Sequence, residues 1–468
     1  MATTDRLPPR QIFSPRQLFV GLLIPGALLL ALLPPAGLTG LQAQTLAAVL
    51  LTLGLWSSGA VAPYLASLIF FALMLIPGLA PPDLVFQGFG SAAVWLIVSG
   101  FVIGAAISST GLGARLAGLL GPLLTGSYPR LIGGLTLAAM ALGFLMPSSV
   151  GRAVVLVPIG MALADRVGFA RGSNGRIGIA VALAIACNMP SFAILPSNIP
   201  NMILSGASET IHGVSFGYTD YLLLHYPVLG ILKSALAVVL VLRLFPDKVR
   251  PAETTAPATA PQGKAQLRVA LILLATLALW MTDSLHGINP AWVGIGTAVV
   301  LLLPRVGVVD PQGFRASVDF GMLLFVAGAL ALGAVVNAAG LGAMVGAGLE
   351  WLLPLEPGRD ALNFAGLSVM AGLTGLLATV PGVPAVLTPM APDLAAQTGF
   401  SLQAVLMTQV IGFSTVIFPY QVGPLLVAMQ MSGERLGHLL RITLPLAALT
   451  LLALLPLDYL WWKLLGWI

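Results

Sequence analysis

The sequence predicts an all-α polytopic membrane protein, with about eleven transmembrane helices plus two re-entrant hairpins set in an inverted repeat. Three observations carry this. Of 468 residues, 58% are hydrophobic and 8% charged, with a mean hydropathy of +1.00, too little charge to keep a soluble surface in water. Apolar runs long enough to cross a hydrocarbon core of about 30 Å recur from residue 17 to the C-terminus. A series of landmarks also occurs twice in the same order.

Residues 1–82 supply scaffold helices, with spans expected at 17–33, 42–57 and 60–79. The opening MATTDRLPPRQIFSPRQ followed by LFVGLLIPGALLLALL resembles a signal peptide, but a retained first helix is expected because many spans follow. Residues 83–245 form the first repeat. It holds a span at 91–109, an amphipathic interface helix at 111–124 and a hairpin at 130–165 around Pro147-Ser148-Ser149. A span at 177–195 then runs into the helix break PSNIPN (196–201), and a long span follows at 220–245. The Pro-, Ala- and Thr-rich stretch 246–265 has no hydrophobic period and reads as a flexible cytoplasmic linker. Connecting helices occupy 266–309, and the second repeat, with a hairpin at 361–397, occupies 310–468.

The duplication is read from paired landmarks. FVIGAAISSTGLGA (101–114) recurs as LALGAVVNAAGLGA (330–343). Pro158 and Gly168-Phe169 recur as Pro389 and Gly399-Phe400, and Ser191 and Pro196 as Ser414 and Pro419. With the N-terminus in the cytoplasm, loops holding Arg166, Arg171, Arg176, Lys248, Arg305 and Arg315 fall cytoplasmic, while Arg359 and Lys463 fall outside with the C-terminus. Three spans precede the first repeat and two separate the repeats, so the hairpins enter from opposite faces of the cell (inner) membrane. The net charge of +5 belongs to these loops and does not indicate nucleic acid. The lone Cys187 excludes an internal disulfide, and no Cys/His cluster suggests a metal.

Non-helical backbone persists at membrane depth only where it is buried in protein or lines a wet cavity. Freed amides and helix N-termini there can hold an anion, and freed carbonyls a cation. The candidate substrate-binding residues are Ser148, Ser149, Arg152, Asn198 and Asn201 in the first half, and Thr379 and Gln421 in the second. Ser148, Ser149, Ser197, Thr379 and Tyr420 are candidate cation ligands. Arg152 can offer a guanidinium fork to an anion, or it can bond the carbonyl ends of broken helices. Of Asn188, Asn198 and Asn201, at least one is expected to line the cavity. Lys233 is expected to snorkel, His225 to be a satisfied polar residue, and Met429 and Met431 to pack. Asp220, Asp319 and Asp458 are expected near span ends, leaving no mid-span carboxylate for proton-driven antiport. No nucleophile–base pair lies in the spans, which excludes an intramembrane enzyme.

Over residues 40–465 the pattern resembles the divalent anion/sodium symporter family of the ion transporter superfamily. In that family each hairpin tip carries Ser-Asn-Thr ten residues ahead of a proline. Here Ser148-Ser149-Val150 precedes Pro158 and Thr379-Val380-Pro381 precedes Pro389. The family's broken helices carry a segment like Gly-Thr-Pro-Pro-Asn. Ser197-Asn198-Ile199-Pro200-Asn201 keeps its Pro-Asn, and Tyr420-Gln421-Val422-Gly423-Pro424 does not. The resemblance implies a secondary active transporter for a small anion, a di- or tricarboxylate or a sulfate-like ion, in the lipid bilayer. It further implies cation-coupled symport with elevator-type alternating access, a homodimer, and Na+ as the coupling ion with no other cofactor. A cation/proton antiporter or a metalloid-oxyanion exporter of the same superfamily is the alternative. Arg152, two places past the first triplet, sits where the family carries no charge, and its fixed charge can stand in for part of a bound sodium.

Overall fold

A computed structural model describes residues 15–112, 115, 126–249, 263–341 and 355–468. Most of the expected amphipathic helix at 111–124, most of the linker and the end of the second landmark block lie outside the described residues. Every regular element among the described residues is helical. In chain order the main helices are α1 (Pro15–Leu32), α2 (Gly40–Ser58), α3 (Pro63–Leu75) and α4 (Ala92–Thr110). Then come α5 (Tyr128–Leu145), α6 (Ser149–Arg166), α7 (Asn174–Ala186), α8 (Ile199–His212) and α9 (Tyr218–Leu244). The second half contributes α10 (Lys264–Met281), α11 (Pro290–Leu302), α12 (Phe320–Ala338), α13 (Asp360–Leu387), α14 (Leu402–Ser414), α15 (Gly423–Ser432) and α16 (Gly437–Leu464).

Local chemistry sets most of these boundaries. Thr39 closes a capping box on α2, and the side chains of Ser91, Ser127, Ser173, Asp319 and Ser401 cap α4, α5, α7, α12 and α14. α7 with α8, and α14 with α15, are each one crossing interrupted by a break, while α5 with α6, and the two arms of α13, are hairpins. The remaining helices are apolar and of crossing or near-crossing length.

The two halves interleave. α3 packs on α12, and α11 packs on α4, so a helix from ahead of each repeat serves the other. α8 lies against α13, and α15 lies against α6 and α7, so each broken helix closes on the opposite hairpin. Small residues permit the close crossings. A Cβ placed on Gly328 of α12 would meet Ser67 Oγ of α3 at 2.3 Å. One placed on Gly294 of α11 would meet Ser99 Cβ of α4 at 3.1 Å. Each crossing joins one glycine to one serine, with the glycine on the repeat helix in one and on the preceding helix in the other.

The breaks differ from the sequence expectation. The first runs over residues 187–198 rather than 196–201, because Pro190 and Pro196 lack the N–H a continuing helix needs. Ile199-Pro200-Asn201 is instead the first turn of α8, where proline is tolerated. The second break is shorter, 415–422, and Gly423-Pro424 begins α15. Ser414 therefore ends a helix while Ser191 lies inside a break, and the two are not equivalent. At the exit of the first hairpin, Arg176 ion-pairs with Asp165 and with Glu434 at 3.6 Å, tying α6 and α7 to the α15–α16 turn.

Candidate functional site

The first hairpin turns at Met146-Pro147-Ser148. Met146 leaves the helical region (φ −115°, ψ 105°), and Ser148 caps α6 by accepting from the Gly151 amide at 3.0 Å. The second turns on one residue. α13 is helical throughout except at Thr379, at φ 60° and ψ 164°. A β-branched residue with positive φ stores about 1–3 kcal/mol of strain, the kind held at binding sites by surrounding packing. Thr379 thus stands at the tip, as its spacing from Pro389 implied.

Arg152 is wholly buried and lines neither cavity described below. Its Nε donates to Cys187 O at 2.9 Å, Nη1 to Met146 O and to Ser197 Oγ at 2.8 Å, and Nη2 to Ser149 Oγ at 3.0 Å and Ser197 O at 3.3 Å. All five N–H donors are spent on protein oxygens. Two of those acceptors, Met146 O and Cys187 O, are the carbonyl ends of α5 and α7, where the helix dipoles are negative. Of the two roles open to this arginine, the structure places it in the one that bonds broken helix ends. It does not present a fork to an anion here.

The neighbouring polar residues complete that knot. Ser197 Oγ donates to Gly143 O at 2.8 Å. Asn201 is buried and donates to Ser191 O at 3.0 Å and Ile194 O at 2.9 Å, bracing the break away from the cavity. Asn198 caps α8 through the Ile199 amide, donates to Ser191 Oγ at 3.0 Å, and lines the first cavity. In the second half Gln421 Oε1 accepts from the amides of Ile417 (2.9 Å) and Phe418 (2.8 Å). The Tyr420 hydroxyl donates to Leu376 O at 3.1 Å while its ring stacks on Phe418.

Two cavities adjoin between the halves, sharing Ile199, Asp319, Met322 and Pro424. The first, of about 490 Å³, is walled by Ser148, Ser149, Val150, Gly151 and Asn198. The second, of about 670 Å³, is walled by Thr379, Pro381, Tyr420, Gln421 and Gly423. The N-termini of α6, α8, α15 and the second arm of α13 therefore converge on one place. Each brings the positive end of a helix dipole, with Ser148 and Asn198 capping the Gly151 and Ile199 amides. Among the described residues no Lys, Arg or His lines either cavity, and Asp319, which caps α12, is the only charged side chain. The arrangement suits an anion held by amides and hydroxyls.

Sequence reading misjudged the setting of one deep charge and missed the depth of another. Lys233 does not snorkel. It is 2% exposed, and its Nζ donates to Ser414 O at 2.7 Å, at the carbonyl end of α14. Asp458 is wholly buried in α16 rather than solvated at a span end. No local signal announces the partner of Lys233, because the contact joins residues 181 apart.

Comparison with known proteins agrees with the fold. A family profile described as citrate transporter matches residues 46–412. A membrane protein of Cupriavidus necator is 25% identical over 471 residues, covering 94% of this chain and 91% of its own. The putative malate transporter YflS of Bacillus subtilis is 24% identical over 232 residues, covering 47% of this chain and 48% of its own. Among solved structures, the YdaH transporter of Alcanivorax borkumensis aligns at a TM-score of 0.54 and 19% identity, covering 97% of this chain and 99% of its own. MtrF of Neisseria gonorrhoeae, from a class of antimetabolite efflux pumps, aligns at 0.57 and 15%, covering 88% and 97%. With its profile match spanning most of the sequence, the chain belongs to the citrate transporter family, within the ion transporter superfamily.

Proposed function

We propose that this membrane transporter carries a small di- or tricarboxylate of the citrate and malate class as a secondary active, cation-coupled symporter. The observation that carries the reading is the meeting of four helix N-termini on cavities with no cationic side chain. Carboxylates of a polyanion would lie against these helix N-termini, with Ser148, Ser149, Asn198, Thr379 and Gln421 completing the contacts. The citrate transporter family and the putative malate transporter support the substrate class. We carry into the proposal an inner-membrane location with a cytoplasmic N-terminus and an outside C-terminus, a homodimer, and elevator-type exchange of the site between faces. Cys187 O and both Ser197 oxygens of the first break are already bonded to Arg152, so we assign no sodium ion there.

Reconstitution tests the reading. Uptake of radiolabelled citrate or malate should saturate and should follow an imposed cation gradient. An ohmic current, or transport confined to sulfate, would overturn it. In the same assay Ser148→Ala removes an N-cap worth about 1 kcal/mol and a cavity hydroxyl. The KM should rise about 5- to 10-fold with maximal rate nearly retained. An unchanged KM would remove Ser148 from the site.

A further inference from the structure

We propose that the second cavity is a subsite for the aromatic substituent of a carboxylate ligand, so that the protein binds aryl-substituted di- and tricarboxylates as well as citrate and malate. The carboxylate end of such a ligand is placed as in the reading above, on which the proposal rests. The aromatic end takes up the part of the site which that reading leaves unused.

The two cavities are built for different chemistry. Among the described residues, Phe101 is the only aromatic one lining the first, whereas Trp56, Tyr64, Phe320, Phe325 and Tyr420 line the second. These five come from α2, α3, α12 and the second break, and only the fold brings them to one wall. The volume of about 670 Å³ lies within the range of about 300–1,000 Å³ that holds a drug-sized ligand. Citrate and malate are small and carry polar groups on all sides. Held at the helix N-termini, they leave the aromatic wall uncovered.

The wall has a fixed base and open faces. Trp56 is buried, its Nε1 donates to Pro63 O at 3.0 Å, and its ring meets Phe325 edge-on at 5.2 Å. Tyr64, Phe320 and Tyr420 keep ring surface free, at 44%, 64% and 53% exposure. Tyr420 is still held in place, with its hydroxyl on Leu376 O and its ring stacked on Phe418 at 5.8 Å between centroids. Tyr64 lies against the first turn of α12, where a Cβ on Gly321 would stand 3.1 Å from its ring. Rings already held by the fold suit a flat apolar group, which gains contact area with little further ordering of the protein.

The polar residues of the same cavity tie this subsite to the carboxylates. Thr379, Gln421 and Gly423 stand in its lining, and Ile199, Asp319, Met322 and Pro424 join it to the first cavity. A Cβ on Gly423 would meet nothing within 4 Å, so the space over the start of α15 is open. A ligand can therefore set its carboxylates against the helix N-termini and its ring against the aromatic wall. Asp319, the one charged side chain at the junction, repels a further carboxylate and favours an uncharged substituent there.

The test is calorimetric titration of the purified full-length protein with malate and with 2-benzylmalate, which differ by one benzyl group. Wild type should bind benzylmalate about 10- to 100-fold more tightly, the gain from burying one aromatic group. Phe320→Ala and Tyr64→Ala alter side chains that are largely exposed, so folding is little affected. Each should reduce the benzylmalate-to-malate ratio by about 3- to 10-fold. Trp292→Ala, exposed on α11 and lining neither cavity, should keep the wild-type ratio. Benzyl alcohol should not bind over the same concentrations, because it lacks the carboxylates. Equal affinity for malate and benzylmalate, a ratio unmoved in both Phe320→Ala and Tyr64→Ala, or benzyl alcohol binding as tightly as benzylmalate would each overturn the proposal. Binding of malate without benzylmalate sinks the subsite and leaves the citrate and malate reading intact. Binding of benzylmalate with neither malate nor citrate sinks that reading and leaves the aromatic subsite standing.

Discussion

Replacing Arg152 with methionine is expected to abolish citrate uptake and to destabilise the fold by about 3–5 kcal/mol, the cost of breaking a buried charged network on one side. Methionine fills a similar volume but donates nothing. Met146 O and Cys187 O would be left buried at the ends of α5 and α7, and Ser149 and Ser197 would lose their shared partner. Each orphaned acceptor costs about 1–3 kcal/mol, offset in part by relaxation or entering water. The hairpin tip and the first break would separate, and with them the amides at the start of α6 and α8. Arg152→Lys should recover little, since a single ammonium cannot span five acceptors in a planar fork. Thermal unfolding in detergent and uptake in liposomes read the two effects. If Arg152→Met melts and transports like wild type, the guanidinium does not hold the site together.

Gly412→Ala is expected to be at least as damaging, although it adds one methyl group. A Cβ at Gly412 on α14 would stand 2.2 Å from Ala371 Cβ, 2.6 Å from Ser368 O and 2.7 Å from Gly372 N, on the first arm of α13. Two of those three atoms are backbone, so no rotamer change relieves the overlap, and the helices must part. Overpacking of this kind costs about 1–3 kcal/mol or more. It would also lift Ser414, two residues on, away from Lys233. Folded yield and melting temperature should fall well below those of Gly296→Ala, where nothing lies within 4 Å of the added carbon. Equal behaviour of the two variants would show that the α13–α14 crossing has slack.

Much of the fold was legible in one dimension because the membrane simplifies the code. Hydrocarbon demands long apolar helices, and helix interruptions must be announced by residues that break helices. Pro147, Pro196 and Pro419 therefore marked the first hairpin and the two breaks, although the extent of each break was misjudged. Which proline stops a helix and which starts one depends on where the next turn finds acceptors, and Pro200 starts one. Thr379 was legible as a tip residue from its distance to Pro389, but its positive φ was not, since a threonine carries no sign of strain imposed by its neighbours.

The charged residues divide most clearly. Sequence alone determined that Arg152 and Lys233 lie within apolar stretches and need an explanation, because an isolated charge there is expensive. It also determined the helical class of the protein. Only the tertiary structure decided what each charge does. Arg152 closes on the carbonyl ends of α5 and α7, Lys233 reaches a carbonyl 181 residues away, and Asp458 is buried rather than solvated. Sequence order holds the cost of burying a charge, but the partner that meets the cost comes from a different helix, and only packing brings the two together.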